Sequence, residues 1–394
     1  MTSNWTTMRA ADFISFNPKL SIKKGELATK VAMDKLMPFT KKISDTEKAI
    51  FNGGTKFCNG DTIMARITPC LENGKTAYVD ILEENEVAFG STEYIVMRAV
   101  DGISDSQFIY YLVTSPLFRS IAIKSMVGSS GRQRVQQSVL EELEINIPSL
   151  EEQVAIGSFL SNLDHKIALN NAINDNLEQQ AQSYFQELFI NDADPKWTTG
   201  TISDLGAVVG GSTPSKAKPE YYTESGVAWI TPKDLSINKS KFISHGENDI
   251  TELGLKNSSA AIMPEGTVLF SSRAPIGYIA IAAGEVTTNQ GFKSVVPKPE
   301  IGTPFVYFFL KHNLPVIEGM ASGSTFKEVS GSTMKNIPTV IPNAETLARF
   351  NDFCTPIFVQ QRILEEQSQS LAALRDNLLP KLMSGEIDVS GIQL

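Results

Sequence analysis

The sequence predicts an α+β fold in which two β-rich domains are each followed by a long helix, and the two helices pair as a coiled coil. Three observations lead there. An internal repeat runs at an offset near half of the 394 residues, two acidic segments carry heptad-spaced apolar residues, and the stretches before them break into short apolar runs separated by glycine, proline and asparagine.

The repeat opens with Trp5 and Trp197, each seven residues before an aspartate, Asp12 and Asp204. GDTIMAR (Gly60 to Arg66) matches GTVLFSSR (Gly266 to Arg273), the second copy being one residue longer; both read as a strand running into a loop, closed by Arg66 and Arg273. FIYYLV from Phe108 and FVYFFL from Phe305 are expected to start helices. From Met126 and Met320 the offset settles at 194, pairing Val135 with Val329, Pro148 with Pro342, Leu163 with Ile357 and Leu188 with Leu382.

The helices are expected within 150–190 and 344–394, which divides the chain into a domain at 1–149, a central helix, a domain at 191–343 and a C-terminal helix with its tail. Ile156, Leu160, Leu163, Ile167, Leu177 and Leu188 form the first seam, with Asn170 and Asn174 in the gaps. Phe353, Ile357, Leu364, Leu371 and Leu378 form the second, with Gln360 and Gln367 between them. An apolar stripe more often covers a domain core, but about 38 residues at 1.5 Å each give a length of roughly 57 Å, long for that role alone. Pro356 should kink or restart its helix.

Composition fits a globular protein of two or three domains, with 42% hydrophobic and 20% charged residues. No apolar run reaches 18 residues and the N-terminus carries no signal-peptide pattern, so a cytoplasmic protein without a membrane partner is expected. Cys58, Cys70 and Cys354 lack any C-x-x-C spacing, and His165, His245 and His312 are scattered; neither disulfide nor metal site is expected. The net charge of -9 argues against nucleic acid until it is located. Residues 1–150 hold seventeen basic and seventeen acidic residues and 197–343 hold twelve of each, so the acidity sits in the helical segments. Both domains remain free to carry local basic faces.

Catalytic signatures are missing. No Asn-Pro-Pro-aromatic or Asp-Pro-Pro-Tyr loop occurs, GGSTPSK from Gly210 lacks the glycine before lysine that a phosphate-cradling Walker loop needs, and Asp194 and Lys196 flank Pro195 without an upstream Pro-Asp partner. No catalytic residue and no cofactor are assigned.

Binding residues can be nominated. GSSGRQRV joins Ser129 and Ser130 to Arg132, Gln133 and Arg134, a set suited to phosphate contacts, although such a loop alone is more often an ordinary turn. Its counterpart SGSTFKEV keeps Ser324, Thr325 and Lys327 but places Glu328 where the first copy has Arg134. Ser212, Thr213, Lys216 and Lys218, then Thr231 and Lys233 of WITPKD, offer further hydroxyls and cations, with structural turns as the rival reading. Arg66 and Arg273, and Ser91 and Thr92 against Asn289 and Gln290, are candidates for base edges, which Arg, Asn and Gln can pair bidentately.

Taken together, WTTGTISDLGAVVGGSTPSK, WITPKDL, GTVLFSSRAPIG, TTNQGF, the GSSGRQ loop, the helix start PSLEEQ and the closing LLPKLMSGEI resemble the specificity subunits of type I restriction-modification enzymes across essentially the whole chain. That resemblance implies two target recognition domains in a pseudo-twofold arrangement, separated by antiparallel helices and each reading half of a bipartite double-stranded DNA target. It implies two DNA adenine methyltransferase subunits as partners and, in a restriction complex, two ATP-dependent restriction subunits. A coiled-coil scaffold that reads no DNA, and a specificity subunit of another restriction or phage-defence system, are the alternatives.

Overall fold

The computed structural model describes residues 5–323 and 327–387, which fall into two compact units: residues to 169 together with those from 368, and residues 170–367. Each unit therefore contains one β-rich domain and one part of each long helix.

In the first unit, strand Thr6–Arg9 pairs antiparallel with Glu144–Ile147, so the domain's first and last strands close on each other. Between them lie two four-stranded sheets. One is antiparallel, in the order Ile14–Phe16, Tyr94–Ala99, Thr62–Ala65, Thr76–Tyr78. The other runs Glu47–Ile50, Leu27–Val31, Ala88–Gly90, Thr55–Phe57, with its middle pair parallel. Strand Thr62–Ala65 is buried on both faces: Ile63 joins Val31, Phe57 and Val96 in one core, while Met64 joins Phe13, Ile95 and Phe108 in the other. Burial on both faces is why GDTIMAR reads as a continuous apolar run rather than an alternating one. The predicted helix at Phe108 is Ser106–Thr114, with the Asp105 carboxylate accepting from the Phe108 amide at its N-terminus.

The second unit repeats the plan. Thr198–Thr201 pairs with Pro338–Ile341. A five-stranded sheet follows in the order Gly206–Gly210, Lys293–Pro297, Val268–Ser272, Ile276–Ala282, Phe242–Ile243. Val268–Ser272 is again buried on both faces, Phe270 toward one core and Leu269 toward the other. Helix Thr303–His312 matches the second aromatic run.

The long helices are Leu150–Gln186, finishing in a widened π turn at Glu187–Asn191, and Ala344–Met383. Within the second unit they run antiparallel: Asn174 and Gln361 exchange amide-to-carbonyl hydrogen bonds of 3.3 and 3.2 Å, and Tyr184 packs on Phe350 and Phe353. Three details differ from expectation. Pro356 does not restart its helix, which runs unbroken from Ala344 to Met383, because Phe350, Cys354, Ile357 and Phe358 around it are buried in the second unit's core and hold it. The buried seam glutamine is Gln361, whereas Gln360 and Gln367 are exposed, a slip of one position from the heptad template. The helices also cover their domains as well as pairing: Ile156, Leu160 and Leu382 belong to the first unit's core, and Leu188 and Ile357 to the second's. Gly157 permits this, since a Cβ there would stand 2.7 Å from the Asp105 carboxylate and 2.9 Å from the Phe108 amide. Of the remaining seam residues, Leu364 is buried, Leu163, Ile167, Leu177, Leu371 and Leu378 are half-buried, and Phe353 is exposed on the far side of Tyr184.

Each unit fastens its domain to the helices with one lysine. In the first, Lys41 donates to the Tyr111 hydroxyl at 3.2 Å, to Ser161 at 3.0 Å and to Gln107, with the rings of Tyr78, Tyr110 and Tyr111 around it. Tyr111 donates onward to Asp164, which pairs with Arg375 of the second helix. In the second unit, Lys241 reaches Glu178 and Gln361, both at 2.8 Å, with the Phe358 ring 3.4 Å beneath it. The backbone amides of Lys241 and Phe242 donate to Glu365.

Burial pushes both ammonium groups down to about 8, from an ordinary value of 10.5. Between those values the unfolded chain binds more protons than the folded one, so stability rises with pH, by up to about 1.4 kcal/mol per pH unit for each lysine. Lys41→Met and Lys241→Met keep the apolar stem and remove the charge; in thermal unfolding from pH 8 to 10 each should flatten that rise by one lysine's share. A rise unchanged from the parent protein would contradict the burial assigned to the ammonium groups.

Candidate nucleic-acid interface

In the first unit the nominated residues converge on one edge of the domain. The Arg66 amide donates to the Glu93 carbonyl at 2.9 Å, and the Val135 amide donates to the Arg66 carbonyl at 2.8 Å, bringing together the end of strand Thr62–Ala65, the turn at 91–93 and the loop at 127–134. The loop closes on itself through the bridge between Val127 and Arg134. Arg134 grips Glu93 with Nε at 3.0 Å from both carboxylate oxygens and with Nη2 at 2.6 Å. Arg66 stands on the other side of the same carboxylate at 4.0 Å. The Arg134 guanidinium holds the Glu93 carboxyl below the usual range, so it is ionised at neutral pH.

Ser129, Ser130 and Arg132 are exposed at the loop tip, and Gln133 lends its carbonyl to the Thr68 amide. Arg132 has no side-chain hydrogen bond or ion pair among the described residues. The Ser91 hydroxyl caps its own turn by accepting from the Glu93 amide, leaving Thr92 exposed. Beside it opens a cleft lined by Asn17, Lys19, Lys56, Arg66 and Thr92. Sequence reasoning missed Asn17, Lys19 and Lys56 because the first two follow strand Ile14–Phe16 and the third lies in strand Thr55–Phe57, with no shared motif.

The second unit gathers its own set. The Ser272 amide donates to the Gly291 carbonyl at 2.7 Å and the Val329 amide donates to the Ser272 carbonyl at 3.0 Å, which reproduces the first unit's wiring. It also corrects the alignment: Ser272, not Arg273, occupies the place of Arg66, and Arg273 stands where Ile67 does. The letter match misleads because the equivalent segments have equal length: the Gly60 amide donates to the Val79 carbonyl as the Gly266 amide donates to the Ala282 carbonyl, and six residues on stand Arg66 and Ser272. Glu328 accepts from Arg273 and Lys293, each at 3.5 Å. The Thr213 hydroxyl donates to the Gln290 side chain, and Asn289 folds back to accept from the Gly291 amide. The Ser212 carbonyl accepts from the Trp229 indole.

Other nominated residues have structural partners. Thr231 forms a capping box with Asp234 at the start of helix Pro232–Ile237, a Thr-x-x-Asp signal visible in the sequence. Lys233 pairs with Glu247, and Lys218 lies on Tyr221. Lys216 and Lys327 are exposed and have no such side-chain partner among the described residues. Ser324 and Thr325 lie outside the described residues. Each unit thus sets two cations around one carboxylate, Arg66 and Arg134 at Glu93 in the first and Arg273 and Lys293 at Glu328 in the second, with Arg132 and Lys327 exposed on the same loops. No group of three metal-ligating side chains occurs among the described residues, and no helix there is long and apolar enough to cross a membrane.

A domain built twice, with an ion cluster on the same loops each time, is the class of protein at hand. The family described as the type I restriction modification DNA specificity domain matches residues 2–179 and again 195–381, and the chain belongs to that family. It is 39% identical over 194 residues to the type I restriction enzyme MjaIX specificity subunit of Methanocaldococcus jannaschii, an alignment that spans 47% of this chain and 45% of that protein. It is 25% identical over 408 residues to the HindI specificity subunit of Haemophilus influenzae, spanning 83% of this chain and 86% of that protein. The fold is similar to the crystal structure of the S subunit of a type I restriction-modification system from M. genitalium, with a TM-score of 0.61 at 18% identity over 96% of both chains.

Proposed function

We propose that this chain is the DNA specificity subunit of a type I restriction-modification complex. Its two recognition domains, 1–149 and 191–343, each read one half of a bipartite duplex target, and methyltransferase subunits docked on it methylate adenine there. Where restriction subunits join, the same recognition directs cleavage. The chain itself supplies recognition and no catalytic group. The observation that carries this reading is the duplicated specificity-domain match, and the cations Arg132 and Lys327, exposed on equivalent loops and without a side-chain partner among the described residues, support it. Phosphate contact by such residues contributes affinity, while Thr92, Gln290 and the paired arginines are the proposed contributors to base discrimination.

Replacing Arg132 with alanine should weaken binding of all duplexes to a similar degree and reduce the salt slope by about one, the share of one phosphate contact. Filter binding over a salt series measures this. A slope equal to the parent's would remove Arg132 from the phosphate contacts, and a parent protein without salt-dependent binding would favour a scaffold that reads no DNA.

The long helices act as the spacer between the half-sites. Four residues inserted after Ala172 lengthen the first helix by ~6 Å and keep the seam roughly in phase. With ~3.4 Å per base pair, the methylated target should then carry a gap one or two base pairs longer with unchanged half-sites, read by methylome sequencing. An active variant with its original gap would show that the helices do not set the spacing.

A further inference from the structure

We infer that Glu93 and Glu328 are specificity-determining positioning residues, each holding the cations paired with it, Arg134 in the first unit and Arg273 and Lys293 in the second, away from DNA phosphate so that they engage a duplex only where base contacts also form. The inference rests on the DNA-recognition reading and adds a role for two carboxylates that would otherwise oppose binding.

The two loops close onto the central strand in equivalent ways. Arg134 and Glu328 occupy the same place, each immediately before a valine, Val135 or Val329, whose amide donates to the residue ending the central strand. At that place the charge is inverted between the two copies, and the surroundings are inverted with it. Arg134 meets a carboxylate contributed by the 91–93 turn. Glu328 meets Arg273 and Lys293, contributed by the central strand's end and by the strand after the 289–291 turn. The two copies reach the same balance of cations and carboxylate from different residues.

Stability does not explain this balance. Glu93, Arg134, Arg273 and Glu328 are all partly exposed, and exposed ion pairs add little to folding. Their geometry bears on binding instead. Arg134 spends its Nε and Nη2 edge on both oxygens of Glu93, which is the edge a phosphate or a guanine would use. A phosphate reaches that edge only by displacing a fixed carboxylate. This penalises every duplex, and only a target that adds base contacts offsets it, so discrimination rises at the expense of sequence-independent affinity.

Glu93→Gln and Glu328→Gln keep the shape and one acceptor while removing the charge. Each full-length variant, assembled with its methyltransferase subunits, is titrated from about 50 to 200 mM salt against two duplexes, one carrying the methylated target and one lacking both half-sites. Off-target affinity should rise about 5- to 10-fold at the low-salt end, with a slope steeper by about one, while target affinity changes far less. Methylome sequencing should show relaxed preference in one half-site for Glu93→Gln and in the other for Glu328→Gln, and Glu93→Asp should retain the parent's discrimination. If Glu93→Gln weakens both duplexes equally at an unchanged slope, the carboxylate merely braces the loop and the inference is wrong. Failure of the underlying reading looks different: the parent complex itself would then show no salt-dependent DNA binding.

Discussion

In each unit, the β-rich domain depends on a lysine that it inserts among aromatic rings at the long helices. Lys41 among Tyr78, Tyr110 and Tyr111, and Lys241 over Phe358 and Tyr307, are both held by the hydrogen bonds they donate to helix residues or to groups those residues fix. Desolvating an ammonium group is costly, and it is tolerated here because ring faces and fixed oxygens replace its water. Such a contact has one satisfactory geometry, whereas an apolar patch tolerates sliding. The orientation of each domain on its own helix segments is therefore fixed by polar contacts and only filled in by the aliphatic seam.

The candidate loops sit at the other end of that dependence. Their roots meet the end of the doubly buried central strand, through the Val135 amide on Arg66 and the Val329 amide on Ser272, and Ser129, Ser130 and Arg132 of the first loop are exposed. The roots are tied by matching backbone hydrogen bonds, and their side chains differ between the copies. A repeat that keeps its backbone wiring and varies its loop side chains is suited to two readers of different sequences.

Much of this plan was legible in the sequence because the duplication is in register over its C-terminal half. Matches such as Val135 with Val329 correspond to matching hydrogen bonds in the structure, and the aromatic runs at Phe108 and Phe305 are helices. The reading failed where one residue changes register. Arg66 and Arg273 look equivalent as letters, but counted from Gly60 and Gly266, which share their backbone hydrogen bonds, the equivalent of Arg66 is Ser272. Gln361 rather than Gln360 faces inward because heptad counting drifts from the 3.6-residue turn over a long helix. Thr231 was nominated for binding although Asp234, three residues on, marks it as a helix cap. The lysine anchors were beyond reach, since Lys41 and Lys241 lie in stretches that share no motif and meet their partners only through tertiary structure.

The central claim is that two independent readers are built on one chain, and the most direct test exchanges one of them. Residues 197–343 are replaced by the same region of another specificity subunit, and the methylome of cells carrying the hybrid is sequenced. The account predicts a methylated motif in which one half-site changes while the other half-site and the gap stay as they were. A motif altered in both halves would contradict it.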